Sequence, residues 1–288
     1  MRILVVTGSR ADFGLLEWPI KTLQEDAHFS VSVLPIWGKS LDEAFRSCSV
    51  SFTEERPDLV LVLGDRYEIL GAATAAHLLR VPIAHIGGGD VTEGSYDDAM
   101  RDAISRMASV HFVTSTSAMA RLSHMGYRNI HLVGNPGIDY IRRADWKRER
   151  PIAEPYVVVS YQAETIYEVS DLEVREKMGF IFHCFPKDKI RVFIRPNPDR
   201  GTDIINDIIN VCRNKRDIVH DFLPHAEFLN LLAHCDEFMG NSSAMLYEAP
   251  ELGIKTRMIG KRQRGRTLPW GDGFASERMA NILKRCVI

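Results

Sequence analysis

Side chains able to do chemistry gather at a few places in this sequence, each just after a short apolar run. Thr7-Gly8-Ser9-Arg10-Ala11-Asp12-Phe13-Gly14 is the first. Gly8 allows a tight turn and close backbone approach. Amides opening a helix there can meet an anion, and Arg10 can add a forked cation. The stretch is neither GxGxxG nor GxxxxGK[ST], so the dinucleotide and P-loop readings fail. The plainer alternative is a strand-to-helix turn with a surface Arg–Asp pair.

Gly64-Asp65-Arg66-Tyr67-Glu68 is the second place. A carboxylate and a guanidinium at a strand tip do not belong in a core, although Asp65 could equally cap a helix or pair with Arg66. The third is His85-Ile86-Gly87-Gly88-Gly89-Asp90, followed by Glu93-Gly94-Ser95-Tyr96-Asp97-Asp98-Ala99-Met100-Arg101-Asp102. Asp98 and Arg101 are three apart and share a helix face. Acids at a helix start suit the dipole whatever the function. Paired carboxylates can also serve as acid and base when their surroundings differ. His85 reads as a hydrogen-bonded structural histidine rather than a catalyst.

In the second half, Gly240-Asn241-Ser242-Ser243-Ala244-Met245-Leu246-Tyr247-Glu248 follows another apolar run. Exposed amides with the Ser242 and Ser243 hydroxyls make a phosphate seat. Glu248, about a turn and a half later, can accept from vicinal ribose hydroxyls, while plain N-capping by Asn241 or Ser242 is the alternative. Two basic clusters accompany the seat: Arg195-Pro196-Asn197-Pro198-Asp199-Arg200, and Lys261-Arg262-Gln263-Arg264-Gly265-Arg266. The second lacks the aromatic interleaving of a nucleic-acid platform, and a diphosphate needs only one or two such cations. No DxD, HExxH, GxSxG or clustered His/Cys set appears, so the expected site holds no metal and no cofactor.

These positions need elements to hold them. Apolar runs at Ile3–Thr7, Val31–Ile36, Leu59–Leu63, Ile83–Ile86, Val110–Val113 and Ile130–Val133 predict strands. Helices fit Phe13–Glu25, Tyr67–Leu79, Tyr96–Met107 and Ser115–Met125. Alternation breaks at the charged, Pro-containing Arg142–Pro155, read as an interdomain linker. It resumes with strands at Tyr156–Ser160, Ile190–Ile194, Ile218–Asp221, Glu237–Met239 and Thr256–Ile259. The matching helices are Glu168–Phe185, Asp203–Asn214, Ala226–Ala233, Ala244–Leu252 and a last one over Ser276–Cys286. Strands apolar on both faces between helices predict two α/β, Rossmann-like doubly wound domains facing a cleft, with ligands at the strand ends. The expected extents are 1–145, 146–275 and a terminal helix 276–288 packing back on the first domain.

Bulk properties are permissive. The 288 residues are 45% hydrophobic and 26% charged, with net charge −2, which excludes a strongly basic nucleic-acid binder. No run approaches the ~20 apolar residues of a membrane span. Five scattered cysteines without CxxC suit a reducing cytoplasm.

Together, TGSRADFGLL, RPDLVLVLGDRYEIL, PIAHIGGGDVTEGSYDDAMR, GNSSAMLYEAPELG, GKRQRGR and WGDGFASERMANIL resemble the blocks of the hydrolysing UDP-N-acetylglucosamine 2-epimerases of the sialic-acid type. The resemblance implies a glycosyltransferase-B-type fold, a homodimer and a UDP-amino-sugar substrate. It implies loss of UDP by elimination, then hydration to a mannosamine-type sugar. Catalytic work would fall to Asp65, Asp90, Asp98, Arg101 and Asp102. Nucleotide-sugar contacts would come from Arg10, Asp12, Arg66, Gln162, Arg195, Asn197, Ser242, Ser243, Glu248, Arg262 and Arg266.

The chain departs from the family pattern at several points. Asp90 stands where the family usually has Glu. Asp102 and Gln162 stand where it has histidines, and Gln cannot shuttle a proton. Segments usual in the family are missing inside the chain, around Trp37–Arg56 and after Arg266. A glycosyltransferase and a non-catalytic nucleotide-sugar binder are the alternatives these departures raise.

Overall fold

The computed structural model describes residues 1–164, 170–184, 189–197 and 201–286. The sequence readings at Glu168, Phe185, Pro198, Asp199 and Arg200 lie outside the described residues.

The chain divides into two compact units. The first comprises Met1–Val91, Asp97–Ala144 and Thr267–Ile288; the second comprises Thr92–Tyr96 and Asp145–Arg266. The first unit alternates β1 (Arg2–Thr7), α1 (Arg10–Gln24), β2 (Ser30–Pro35), α2 (Leu41–Glu55), β3 (Leu59–Leu63) and α3 (Tyr67–Leu78). It continues with β4 (Ile83–Ile86), α4 (Asp98–Met107), β5 (Val110–Val113), α5 (Thr116–His124), β6 (Ile130–Leu132) and α6 (Pro136–Arg143). The strands form one parallel sheet in the order β2-β1-β3-β4-β5-β6. Alternate residues of β1 and β3 feed opposite cores, as the period of two requires. Ile3, Val5 and Leu61 pack with Leu16 and Leu23 of α1. Leu4, Val60 and Val62 pack with Ala44, Cys48 and Phe52 of α2 and with Ala72 and Ala76 of α3.

The second unit runs β7 (Tyr156–Ser160), α7 (Asp171–His183), β8 (Ile190–Ile194), α8 (Thr202–Cys212) and β9 (Ile218–His220). Then come α9 (His225–Ala233), β10 (Glu237–Gly240), a 3-10 turn at Ser243–Met245, α10 (Glu248–Glu251) and β11 (Thr256–Met258). Its parallel sheet has the order β11-β10-β7-β8-β9. Val157 and Val159 point into one core with Ile205 and Ile209 of α8; Tyr156 and Val158 point into the other with Leu232 of α9. The two-sheet α/β architecture agrees with the sequence reading.

Several local readings need correction. The helix expected over Ala244–Leu252 is broken into the 3-10 turn and a four-residue α10. Pro250 has no N–H to give the Leu246 carbonyl, which weakens a helix across Leu246–Tyr247, although the longer α1 does run through Pro19. Two helices went unread, α2 and α6. The stretch read as a linker does hold the boundary between the units, at Ala144–Asp145, but it opens on the end of α6, and beyond it Trp146 is only 2% exposed. The Arg148 N–H donates to Asn230 Oδ1 at 3.0 Å, and Asn230 Nδ2 donates to the Glu149 carbonyl at 3.1 Å, so this stretch packs rather than dangles.

The second unit ends at Arg266 rather than 275. The Thr267 N–H donates to the Val91 carbonyl (2.9 Å), Trp270 N–H to that of Thr114 (2.8 Å), and Asn135 N–H to that of Trp270 (2.8 Å). The last helix, α11 (Ala275–Leu283), sends Met279 and Leu283 into the α1-side core of the first unit. Asp139, fully buried, accepts from Ala275 N–H (3.1 Å), Ser276 N–H (2.7 Å) and Ser276 Oγ (2.7 Å), filling the orphan amides at the start of α11. Among the described residues, no helix is long and apolar enough to cross a membrane.

Candidate functional site

In the first unit the polar groups follow β1, β3, β4 and β5, where a parallel sheet gathers its loops. Ser9 caps α1, its Oγ accepting from Asp12 N–H at 3.1 Å. Asp12 therefore sits in the first helical turn. Its Oδ2 is buried without a hydrogen-bond partner. Burial pushes this carboxyl up to about 6, against the pull of the Arg66 guanidinium. Arg66 itself donates from Nε and Nη2 to the buried Glu68 at 3.1 and 3.0 Å and lies over the Tyr67 ring. Arg10 lies over the Trp37 ring, 5.8 Å from its centroid.

The centre of this group is Arg101. It is 2% exposed, hydrogen-bonded to Asp65, and has Asp98 Oδ1 at 3.7 Å. One guanidinium thus gathers a carboxylate from the end of β3 and another from the start of α4. Asp90, beyond β4, has a different neighbour: Thr114 Oγ1 donates to it at 2.9 Å. His85 is structural, as its sequence context suggested. Its Nε2 lies 2.7 Å from the Gly64 carbonyl and its Nδ1 3.0 Å from Ser105 Oγ, and burial lowers it to about 4, so it stays neutral. Asp102 stands apart from Asp65, Asp90 and Asp98 in its pairing. Arg121 of α5 grips it with two hydrogen bonds of 2.6 and 2.8 Å.

In the second unit, Asn241 is the pivot. Fully buried, it accepts from Gln162 N–H (2.6 Å) and donates from Nδ2 to the Gln162 carbonyl (2.9 Å), joining the ends of β7 and β10. Gly240 makes that junction fit: its φ is +139°, and a Cβ there would lie 1.9 Å from the Ser160 carbonyl oxygen. The Gln162 side chain accepts from Asn197 N–H at 2.8 Å. Gln162 and Asn197 therefore hold each other. Arg195 is turned away to α8 and β9, donating to Asn206 (3.0 Å) and Asn210 (2.7 Å) and pairing with Asp221 (2.8 Å).

The seat itself is a hydroxyl turn. Ser242 Oγ accepts from Ala244 N–H at 3.3 Å, and Ser242 and Ser243 are half-buried. The basic loop folds beside it: Gln263 Nε2 donates to the Asn241 carbonyl (2.8 Å), Arg262 to that of Ala163 (2.7 Å), and Arg266 Nε to the Tyr247 hydroxyl (2.5 Å). Gly94 leaves room for this loop: a Cβ there would meet the Lys261 and Arg262 carbonyl oxygens. Glu248 is buried and its Oε2 has no hydrogen-bond partner. Burial pushes its carboxyl up to about 7, against the Arg266 charge.

Sequence reasoning missed three contributors. Thr114 follows a strand end and could have been found by the rule that found Asp90. Glu164 accepts from Lys177 Nζ (3.0 Å) and Lys261 N–H (3.1 Å), and His225 lies near Glu248; neither had a motif to flag it.

A family model for UDP-N-acetylglucosamine 2-epimerase matches residues 3–271. The chain belongs to this family. A Legionella pneumophila relative named UDP-N,N'-diacetylbacillosamine 2-epimerase (hydrolyzing) is 28% identical over 309 residues, spanning 91% of this chain and 81% of its own length. The UDP-N-acetylglucosamine 2-epimerase of Neisseria meningitidis is 26% identical over 313 residues, spanning 92% and 81%. A solved Neisseria meningitidis UDP-GlcNAc 2-epimerase, with UDP-GlcNAc bound, shares the fold at a TM-score of 0.79 and 15% identity, covering 99% of this chain and 100% of that one. The two-unit α/β fold of this epimerase family member is thus the glycosyltransferase-B type.

Proposed function

We propose that this chain is a hydrolysing 2-epimerase of a UDP-2-acetamido-sugar. The relatives named for diacetylbacillosamine and for N-acetylglucosamine support that substrate class. A carboxylate takes the C2 proton while the C1–O bond to UDP breaks, and the electron pair of C2–H becomes the C1=C2 bond of a glycal. Water then adds: its hydroxyl goes to C1 and a proton reaches C2 from the opposite face. UDP and a mannosamine-type sugar are the products, and the balance consumes one water.

The observation that carries the reading is Arg101, buried between Asp65 and Asp98, with Asp90 fixed separately by Thr114. Carboxylates in unlike surroundings are what an acid–base pair requires. Ser242, Ser243, Arg262 and Arg266 take the diphosphate, where cations and oriented donors stabilise the leaving charge. Glu248 takes the ribose. Gln162 holds the Asn197 turn and moves no proton. The family resemblance alone supports a homodimer.

The test is incubation with UDP-N-acetylglucosamine and its 4-acetamido-4,6-dideoxy counterpart in deuterated water, followed by NMR. UDP release with deuterium at C2 is the expected result. Release only when an acceptor sugar is added would make the chain a transferase, and no release from any UDP-sugar would end the enzyme reading.

A further inference from the structure

A carboxylate is out of place beside a seat for anions, yet Glu164 is buried against the basic loop 261–266. Its side chain is 7% exposed, and Oε1 accepts from Lys177 Nζ at 3.0 Å and from the Lys261 N–H at 3.1 Å. The three residues come from separate parts of the second unit. Glu164 follows β7, Lys177 lies within α7, and Lys261 follows β11. Gly260 makes the contact fit: its φ is +81°, and a Cβ there would lie 1.9 Å from Glu164 Oε1. A side chain at that position would take the place the carboxylate needs. Next to it, Arg262 Nη1 donates to the Ala163 carbonyl at 2.7 Å. Lys177 also reaches Glu173 Oε1 at 3.1 Å. The two acids hold its ammonium above the usual lysine range, against the cost of burial.

The two side chains divide the work. A carboxylate is a strong acceptor for a backbone N–H, so Glu164 fixes where the loop begins. Its charge alone would repel a diphosphate, and Lys177 cancels that charge from the helix side. We infer that Glu164 and Lys177 are positioning residues for the diphosphate: a charge-neutral latch that sets the basic loop, and through it Arg262 and Arg266, without opposing the anion. The inference rests on the reading that this loop takes the diphosphate, and it adds what holds the loop in place. Both residues act through the loop and neither touches the nucleotide.

The experiment is calorimetric titration of the full chain with UDP, and with uridine read by its displacement of UDP. Removing a negative charge near an anion seat would by itself tighten UDP binding. Removing the acceptor frees the loop, whose ordering then opposes binding. Glu164→Ala loses both, and the latch predicts UDP binding weaker by about tenfold, with uridine unchanged within about twofold. Glu164→Gln keeps an acceptor and loses the charge, so it should bind UDP as tightly as the wild type or more tightly. Lys177→Met leaves the carboxylate uncancelled. It should weaken UDP by about threefold or more, less at high salt than at low, and not at all in the Glu164→Gln background. Unchanged or tighter UDP binding by Glu164→Ala, or an equal loss for uridine, overturns the latch and leaves the nucleotide-sugar reading standing. A Lys177→Met loss that persists in the Glu164→Gln background overturns it too. Failure of the wild type to bind UDP at all overturns the nucleotide-sugar reading itself, and the latch with it. Should Glu164→Ala misfold, the Lys177→Met variants with and without Glu164→Gln decide alone.

Discussion

Replacing Arg101 by Met tests whether one guanidinium organises the acids of the first unit. Met has similar reach and no charge. Arg101 is 2% exposed, whereas Asp65 and Asp98 keep 19% and 26% of their side-chain surface. Removing one partner of a fully buried pair costs about 3–5 kcal/mol, because the survivor is left charged and unpaired. Both survivors here retain some water, so the loss should be about 2–3 kcal/mol. With a urea slope of about 2–3 kcal/mol per molar, the transition of the first unit should move down by about 1 M. The assay is urea unfolding followed by tryptophan fluorescence and circular dichroism. A second variant isolates the cause: Asp65→Asn in the Arg101→Met background removes one stranded charge, so it should recover roughly 1 kcal/mol or more. A midpoint within about 0.2 M of wild type would refute the argument. So would a double variant weaker than the single one.

The acids should also separate by role. Asp65→Asn, Asp90→Asn and Asp98→Asn should each lower kcat by about 100-fold or more in a UDP-release assay, whereas Asp102→Asn and Arg195→Gln, bound to Arg121 and to α8, should shift the unfolding midpoint and leave kcat within a few-fold. The Asp12 carboxyl, raised to about 6 by burial from 3.8, keeps its proton in the folded protein to higher pH than in the unfolded chain. Stability should therefore fall as pH rises from about 4 to 6, by up to about 3 kcal/mol. Asp12→Asn should remove that share of the slope and leave the share from the buried Glu248, and a difference between urea midpoints at pH 4.5 and 7 as large as the wild type's would contradict it. A Cβ at Gly94 would lie 2.2 Å from the Lys261 carbonyl oxygen and 2.4 Å from that of Arg262. Gly94→Ala should displace the basic loop, weakening UDP binding by calorimetry and costing about 1–3 kcal/mol in unfolding; unchanged affinity would count against the loop's role.

Strands were legible because a run such as LVLVL has no polar face to hide, which is the mark of a parallel strand covered on both sides. Helix α2 was not, although Ser40 and Glu43 form a capping box ahead of it. Its buried stripe is only Ala44, Cys48 and Phe52, too narrow among serines and acids to stand out. Helix α6 begins with the Asn-Pro pair that signals a start, but its two terminal arginines merged into the charged stretch that follows. At the candidate site, residue type and position after a strand or at a helix start singled out Asp65, Asp90, Asp98 and the serines as candidates. Partner choice was invisible. Nothing local distinguishes Arg101, drawn inward to Asp65, from Arg195, spent on two asparagines. Both choices are made by elements far apart in sequence.

The interrupted first unit has a consequence for how the molecule is made. Asp145–Arg266, nearly the whole second unit, is contiguous, so it can close as soon as its own residues have left the ribosome. The first unit cannot. Its α1-side core requires Met279 and Leu283, and the partners that Asp139 was placed to receive are Ala275 and Ser276. During synthesis the apolar flanks of Ile3, Val5 and Leu61 must wait for the last helix to be translated. The unit whose strands come first in this sequence is completed only after the second unit has been made.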